Sequence, residues 1–355
     1  MKSPQKLKRG GKHREFMEKI DEKILALAAE AKEKFVGGKA ANMDEFNPER
    51  YELPPFCERV TYGTANCELI LFFGKSKVAL IDAGMAYCAP RIIENIEKAL
   101  AKRGRKTLDY VILSHSHYDH VGALPFFIKR WPKLKIFASE KCKKVFESEN
   151  ARKVFKRLGE NARDSYGAGL WNNTEIPTES FRVDVVVKEG DRIEIGEQKG
   201  EEYFKVLETK GHTDCSLAFG YEPAHILFAS ESTGVYLNHE YIHSAILKSF
   251  AESMKSAEKC SAYGADRIIS PHYGFVPRAL TEQYFEIFRE CAENEKELIL
   301  YLRERLDSYE DLMKAYTAVF WSSDRNKEQP IGAFLANAVP IVNTVLKEFG
   351  REYID

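Results

Sequence analysis

His115-Ser-His117-Tyr-Asp119-His120 decides how this chain reads. Four side chains able to ligate a metal fall within those six residues. Leu108-Asp-Tyr-Val-Ile-Leu-Ser114 precedes them and reads as a buried strand ending in a polar loop. Val121-Gly-Ala-Leu-Pro-Phe-Phe-Ile128 follows and reads as the start of a helix. A loop at the C-terminal end of a strand is where α/β folds hold ligands. Imidazole and carboxylate at this density suit zinc, iron or manganese. The plainer alternative is a polar loop whose histidines only cap the next helix. Further candidate ligands, recurring downstream in matching surroundings, argue against it.

Three more segments supply those ligands. Tyr203-Phe-Lys-Val-Leu-Glu208 alternates as a strand and leads into Thr209-Lys-Gly-His212-Thr-Asp-Cys-Ser216. Ile226-Leu-Phe-Ala-Ser-Glu231 is a short apolar strand ending in an acid. Arg267-Ile-Ile-Ser-Pro-His272-Tyr-Gly274 is a strand ending in a histidine. Four strand ends therefore deliver His115, His117, Asp119 and His120, then His212, Glu231 and His272. Seven ligands suffice for two metal ions that share one carboxylate.

Upstream lie Asn66-Cys-Glu-Leu-Ile-Leu-Phe-Phe-Gly74 and Val78-Ala-Leu-Ile-Asp82-Ala-Gly84. With them the chain resembles the metallo-β-lactamase superfamily, whose signature is H-x-H-x-D-H followed by a His, a bridging acid and a last His. The resemblance runs from Glu58 to Pro277. It implies an α/β fold, the αββα four-layer sandwich, with two divalent metal ions per chain. Zinc is the first assignment, with iron and manganese as alternatives. His115, His117 and His212 would hold the first metal, and Asp119, His120 and His272 the second. The bridging acid of the family is usually Asp, and here Glu231 stands in its place. Glutamate is one methylene longer, which leaves two arrangements: a bridge of shifted geometry, or a ligand to one metal alone.

The chemistry implied is hydrolysis. Two metals a few Å apart activate one water as hydroxide and polarise the substrate oxygen, and a bound divalent metal can bring a water pKa down to about 7. Asp119 would be the catalytic side chain, orienting the hydroxide and passing a proton to the leaving group. No Ser or Cys nucleophile is needed, and no G-x-S-x-G motif occurs. The favoured substrate is an ester or thioester of a small organic molecule, because the helical tail resembles that of glyoxalase II and related thioesterase-like members. The alternatives are a non-haem iron oxidoreductase or dioxygenase on the same fold, and a phosphodiesterase. Flavodiiron relatives usually carry Glu at the second histidine of the motif, where this chain has His117. Nuclease members usually carry a large inserted domain, and none is visible. Tyr118, His243 and Tyr273 are candidates for the substrate pocket, each close in sequence to a ligand or to the segment after Glu231.

Composition narrows the class. The chain has 355 residues, 30% charged and 44% apolar, an ordinary globular mixture. The 53 basic and 54 acidic residues nearly cancel, so no nucleic-acid footprint shows. No apolar run reaches the ~18 residues that a membrane span needs. The N-terminus (Lys2, Lys6, Lys8, Arg9, Lys12, Arg14) is basic with no apolar stretch behind it, unlike a signal peptide. Seven scattered cysteines without C-x-x-C suit free buried thiols in a reducing cytoplasm. Cys215, three residues after His212, reads as a packing residue or as a support for the ligands.

Three segments are expected: an N-terminal helical extension over residues 1–50, a catalytic domain over 51–277, and a C-terminal helical cap over 278–355. Helical spacing covers 13–36 and stops at Gly37-Gly38. Strands and one helix fill 58–105, a charged helical stretch covers 141–175, and strands dominate 181–220. The tail reads as helical over 278–306, again after Asp307-Ser-Tyr-Glu-Asp311, and from Ile331 to Phe349. Tyr316, Phe320, Trp321 and Phe334 would suit an apolar wall over the metal cleft, and the competing use of the tail is a homodimer surface. The expected partner is a small-molecule substrate.

Overall fold

The computed structural model describes residues 21–39, 48–167, 175–321 and 331–350. The basic N-terminal residues, His13 and the Trp171–Thr174 turn lie outside them. Two compact units form the chain: one spans Asn42–Cys291, and the other gathers the chain up to Ala41 and from Ala292 onward.

The larger unit is built on two main sheets. The first holds β1 (Cys57–Arg59), β2 (Ile70–Phe73), β3 (Val78–Ile81), β4 (Tyr110–Ile112), β5 (Lys135–Ala138) and β6 (Val185–Val186), in that order. β1, β2 and β3 pair antiparallel, and β3 to β6 pair parallel. Parallel neighbours need a crossover, and the helix Ala89–Lys102 supplies it between β3 and β4. The second sheet takes β7 (Arg192–Glu194), β8 (Tyr203–Glu208), β9 (Leu217–Glu222), β10 (Ile226–Phe228) and β13 (Arg267–Ile269) in the order β13-β10-β9-β8-β7. There β10 and β13 run parallel and the rest antiparallel. A small hairpin of β11 (Val235–Asn238) and β12 (Tyr241–His243) stands apart.

The period of two along each strand sorts its side chains into two cores. Ile70, Phe72, Ala79, Ile81 and Ile112 of the first sheet meet Phe204, Val206, Phe219, Phe228 and Ile269 of the second. Their neighbours Leu71, Val78, Leu80 and Val111 face the other way, among Ile92, Ile96, Leu100, Phe127 and Phe146 of the covering helices. Both faces of β2 and β3 are thus apolar, which explains their unbroken hydrophobic runs. The helix Phe250–Ala262 packs on β8 of the second sheet, so the layers are helix, sheet, sheet, helix. Serine caps set the helix starts: Ser139 accepts from Cys142 N–H, Ser148 from Ala151 N–H and Ser249 from Glu252 N–H.

The smaller unit is helical. The helix Glu22–Phe35 packs on Tyr309–Phe320, which packs in turn on Ile331–Phe349. The long helix Tyr284–Arg303 starts in the first unit and ends in this one. Its Tyr301 meets the Phe35 ring at 5.4 Å. Tyr316 and Phe320, four residues apart, share a helix face at 4.8 Å between rings, and Phe334 stacks on Tyr316 at 6.1 Å. Among the described residues, no helix is long and apolar enough to cross a membrane.

Candidate metal centre

Five strand ends aim at one place. β3 ends at Asp82, β4 leads to His115, β8 to His212, β10 to Glu231 and β13 to His272. β3 and β4 are parallel, so Asp82 and the His115 loop emerge on the same edge. Ser114 O accepts from Leu217 N–H at 2.8 Å, tying that loop to the second sheet. A short helix, Tyr118–Val121, carries Asp119 and His120, and His120 O accepts from Ala83 N–H at 2.7 Å. Gly211 lets the next loop turn, with φ of +134° and no room for a Cβ, which would sit 2.0 Å from Ser253 Oγ.

All seven predicted ligands come together, in two groups that share Glu231. His115, His117, His212 and Glu231 form one, and Asp119, His120, His272 and Glu231 the other, with ligand atoms in each group within 4.8 Å of one another. Glu231 divides its carboxylate between them. Oε1 lies 2.7 Å from His120 Nε2 and 2.8 Å from His272 Nε2. Oε2 lies 2.8 Å from His212 Nε2. His212 Nε2 is also 2.9 Å from His117 Nδ1. Asp119 Oδ2 stands 3.6 Å from His120 Nε2 and 3.7 Å from His272 Nε2.

Most of these histidines are held from behind. His120 Nδ1 lies 2.8 Å from Asp82 Oδ2, His212 Nδ1 is 2.7 Å from Ala245 O, and His272 Nδ1 is 3.0 Å from Asn66 O. His115 Nδ1 faces Ser114 Oγ at 3.0 Å. Such partners fix the tautomer and the ring orientation of a metal ligand. Asp82 takes two further bonds at 2.7 Å, from the N–H and the hydroxyl of Ser114, and adopts φ of +59° to do so. Cys67, fully buried, joins Asp82 and His120 in a third group of potential ligands. Burial pushes its thiol up to about 12, so it remains protonated beside the ring.

The electrostatics suit a cation. Burial, followed by the neighbouring imidazoles, holds His115 well below its ordinary value, and burial and His212 bring His117 down to about 3. Both are therefore neutral, the form that ligates a metal. Burial would raise the carboxyl of Glu231, but His212 and His120 outweigh it and keep the group ionised. Burial would also lower His120, and the neighbouring carboxylates of Asp119, Asp82 and Glu231 raise it instead. His115 Nε2 offers the direct test of fit: it is buried and finds no hydrogen-bond partner among the described residues, while His115 belongs to the first group. A buried polar nitrogen without a partner is costly. A metal ion held by His115, His117, His212 and Glu231 would satisfy it.

The pocket candidates fall in different places. Tyr118 starts the short ligand-bearing helix, and Tyr273 follows His272 in a left-handed conformation with φ of +66°, its ring 5.8 Å from the His272 ring. The Arg50 guanidinium stands 5.8 Å from the Tyr273 ring. His243 pairs with Val235 in the β11–β12 hairpin and is in none of the potential metal groups. Cys215 links two ligand loops, with its Sγ 3.4 Å from Ser116 Oγ and 3.3 Å from Thr213 Oγ1. All seven cysteines are buried thiols with no disulfide between them. Asp82, Ser114, Asn66 and Ala245 were not singled out as site residues from sequence. The one available signal was Asp82, which ends an apolar strand immediately before Ala-Gly84.

Solved proteins share the fold. A solved metallo-β-lactamase family protein from Thermus thermophilus aligns with a TM-score of 0.55 at 20% identity, covering 84% of this chain and 95% of that one. A β-lactamase domain protein from Burkholderia ambifaria aligns at 0.51 and 13% identity, covering 79% and 89%. Among curated proteins, a hydroxyacylglutathione hydrolase from Legionella pneumophila is 24% identical over 123 residues, 35% of this chain and 32% of its own length. A coenzyme F420H(2) oxidase from Methanocaldococcus jannaschii is 37% identical over 71 residues, 20% of this chain and 17% of its own. The chain thus spans a third or less of each of these two curated relatives. The family model described as the metallo-beta-lactamase superfamily matches residues 60–272, more than half the chain and the whole stretch from β2 to the last ligand. The chain belongs to the metallo-β-lactamase superfamily.

Proposed function

We propose that this protein is a dinuclear metal-dependent hydrolase acting on an ester or thioester of a small organic molecule. The observation that carries the reading is the divided carboxylate of Glu231, one oxygen toward His120 and His272 and the other toward His212. A single-metal site would leave three of the seven ligands without work. Bound divalent ions, most readily zinc, supply Lewis acidity and an acidified water. The protein's own groups do the rest. The histidines are oriented in advance by Asp82, Ala245 and Asn66, so little rearrangement accompanies the reaction. Asp119, whose side chain is 20% exposed against 9% for Glu231, takes the proton of the attacking water. As the water oxygen bonds to the acyl carbon, the bond to the leaving oxygen or sulfur breaks, and Asp119 returns the proton to that atom.

The thioester preference rests on the hydroxyacylglutathione hydrolase match, whose named substrate is an acylated thiol. The coenzyme F420H(2) oxidase match favours a second reading, redox chemistry at iron. Elemental analysis of protein purified without chelator separates the two, followed by a panel of thioester, ester, lactone and phosphodiester substrates. Two zinc or manganese ions per chain with thioester or ester turnover is the expected result. Two irons with no turnover on the panel would overturn the hydrolase reading.

A further inference from the structure

Arg267 opens β13 and Ile226 opens β10, the parallel strands whose far ends lead to His272 and Glu231. A cavity of about 420 Å³ lies at these strand starts, at the opposite end of the second sheet from the metal centre. Its size is that of a small-molecule site. Leu53, Pro54, Phe56 and Ile226 give it apolar walls, and the exposed residues Glu52, Asp266 and Arg278 stand at its mouth. Arg267 lines it while only 6% exposed. Its guanidinium carbon lies 4.1 Å from the centre of the Phe275 ring, and its Nη1 donates to Glu52 O at 2.8 Å. The other edge of the group is open. Nε is buried with no hydrogen-bond partner, Nη2 makes no hydrogen bond, and no carboxylate forms an ion pair with the group, all among the described residues. A buried charge ordinarily has a partner, and a buried donor ordinarily finds an acceptor. Burial, then the charge of Arg278, lowers the pKa of Arg267, though a guanidinium keeps its charge.

We propose that this cavity binds a small monocarboxylate with an apolar body, its two oxygens received side by side on the Nε–H and Nη2–H edge of Arg267. The site is separate from the metal centre and independent of the hydrolase reading. Nε and Nη2 donate in parallel from one side of a planar group, the geometry that the two oxygens of a carboxylate match. Arg278 adds a second positive charge at the mouth. Glu52 and Asp266 stand there too, and their charge disfavours a dianion, so a single negative charge fits best. The four apolar walls offer no polar side-chain atom, which suits a hydrocarbon body. A purely structural Arg267, tying the chain at Glu52 to β13 and stacking on Phe275, would need only Nη1 and the face of the group.

The test uses the full chain with 15N-labelled arginine, titrated with benzoate and, separately, with neutral benzamide. The Nε–H resonance of Arg267 is identified by its Overhauser contact with the Phe275 ring. Benzoate should move that resonance saturably, and benzamide, a neutral acceptor, should bind about 10-fold more weakly. A resonance that benzoate leaves stationary overturns the inference, and so does equal affinity for the two compounds. Benzoate taken up at the metal centre alone gives the stationary result. Arg267→Lys keeps the positive charge and loses the parallel donors, so calorimetry should find benzoate bound about 10-fold more weakly than by wild type. Unchanged affinity in that variant overturns the inference. Should Arg267→Lys fold poorly, the wild-type resonance decides alone.

Discussion

Asp82→Asn is the sharpest probe of how the centre is organised. The Asp82 carboxylate is fully buried and accepts three bonds: Ser114 N–H and Ser114 O–H at 2.7 Å, and His120 Nδ1–H at 2.8 Å. Asparagine keeps the shape but replaces one acceptor oxygen with a donor. If its oxygen stays with Ser114 N–H, its NH2 group confronts the Ser114 hydroxyl and the His120 Nδ1–H. The hydroxyl can rotate, but the imidazole can relieve the clash only by turning or by moving its proton to Nε2. Nε2 is the nitrogen that faces Glu231, and a protonated Nε2 cannot ligate. Loss of such an outer partner costs about 10–100-fold in metal affinity, or about 1.4–2.8 kcal/mol. The loss should fall on the ion shared by Asp119, His120, His272 and Glu231, because His120 is the ligand that Asp82 holds. Competition with a chromophoric chelator, read as two successive binding steps, measures it. Two unchanged steps in a folded Asp82→Asn protein would refute the argument that Asp82 sets the His120 tautomer.

Three further substitutions test separate links. Asp119→Asn should reduce turnover by about 10²–10⁴ while the His115/His117/His212 group still binds metal; near-normal turnover across the pH range would remove Asp119 from proton transfer. Glu231→Gln should lower metal stoichiometry and abolish activity, since one of its two oxygens is lost to one group, and elemental analysis showing full occupancy with normal activity would rule out sharing. Gly211→Ala should destabilise the fold by ~2–4 kcal/mol, combining a strained left-handed backbone with overpacking against Ser253. Thermal unfolding within about 1–2 °C of wild type, roughly a few tenths of a kcal/mol for a domain this size, would contradict it.

The ligands themselves were legible in sequence because each is local. His115, His117, Asp119 and His120 sit within one loop and one helical turn, and His212, Glu231 and His272 each follow a recognisable strand. The fold class came through the resemblance those motifs carry, and the strands expected before each ligand form as β4, β8, β10 and β13. What sequence could not supply is which atom meets which. One oxygen of Glu231 meets His120 and His272, 111 and 41 residues away, while the other meets His212, and no spacing rule reports that division. Asn66 O reaches His272 across 206 residues because neighbouring strand ends pack together in space. Nor could periodicity say which face of β2 meets the second sheet and which meets helices. Ile70, Leu71 and Phe72 are equally apolar, so alternation gives two faces without naming their partners. Local pattern decided the ligand set, the resemblance it carries gave the layers, and tertiary packing alone decided which atoms each histidine faces and how Glu231 divides its carboxylate, because these depend on distances between segments far apart along the chain.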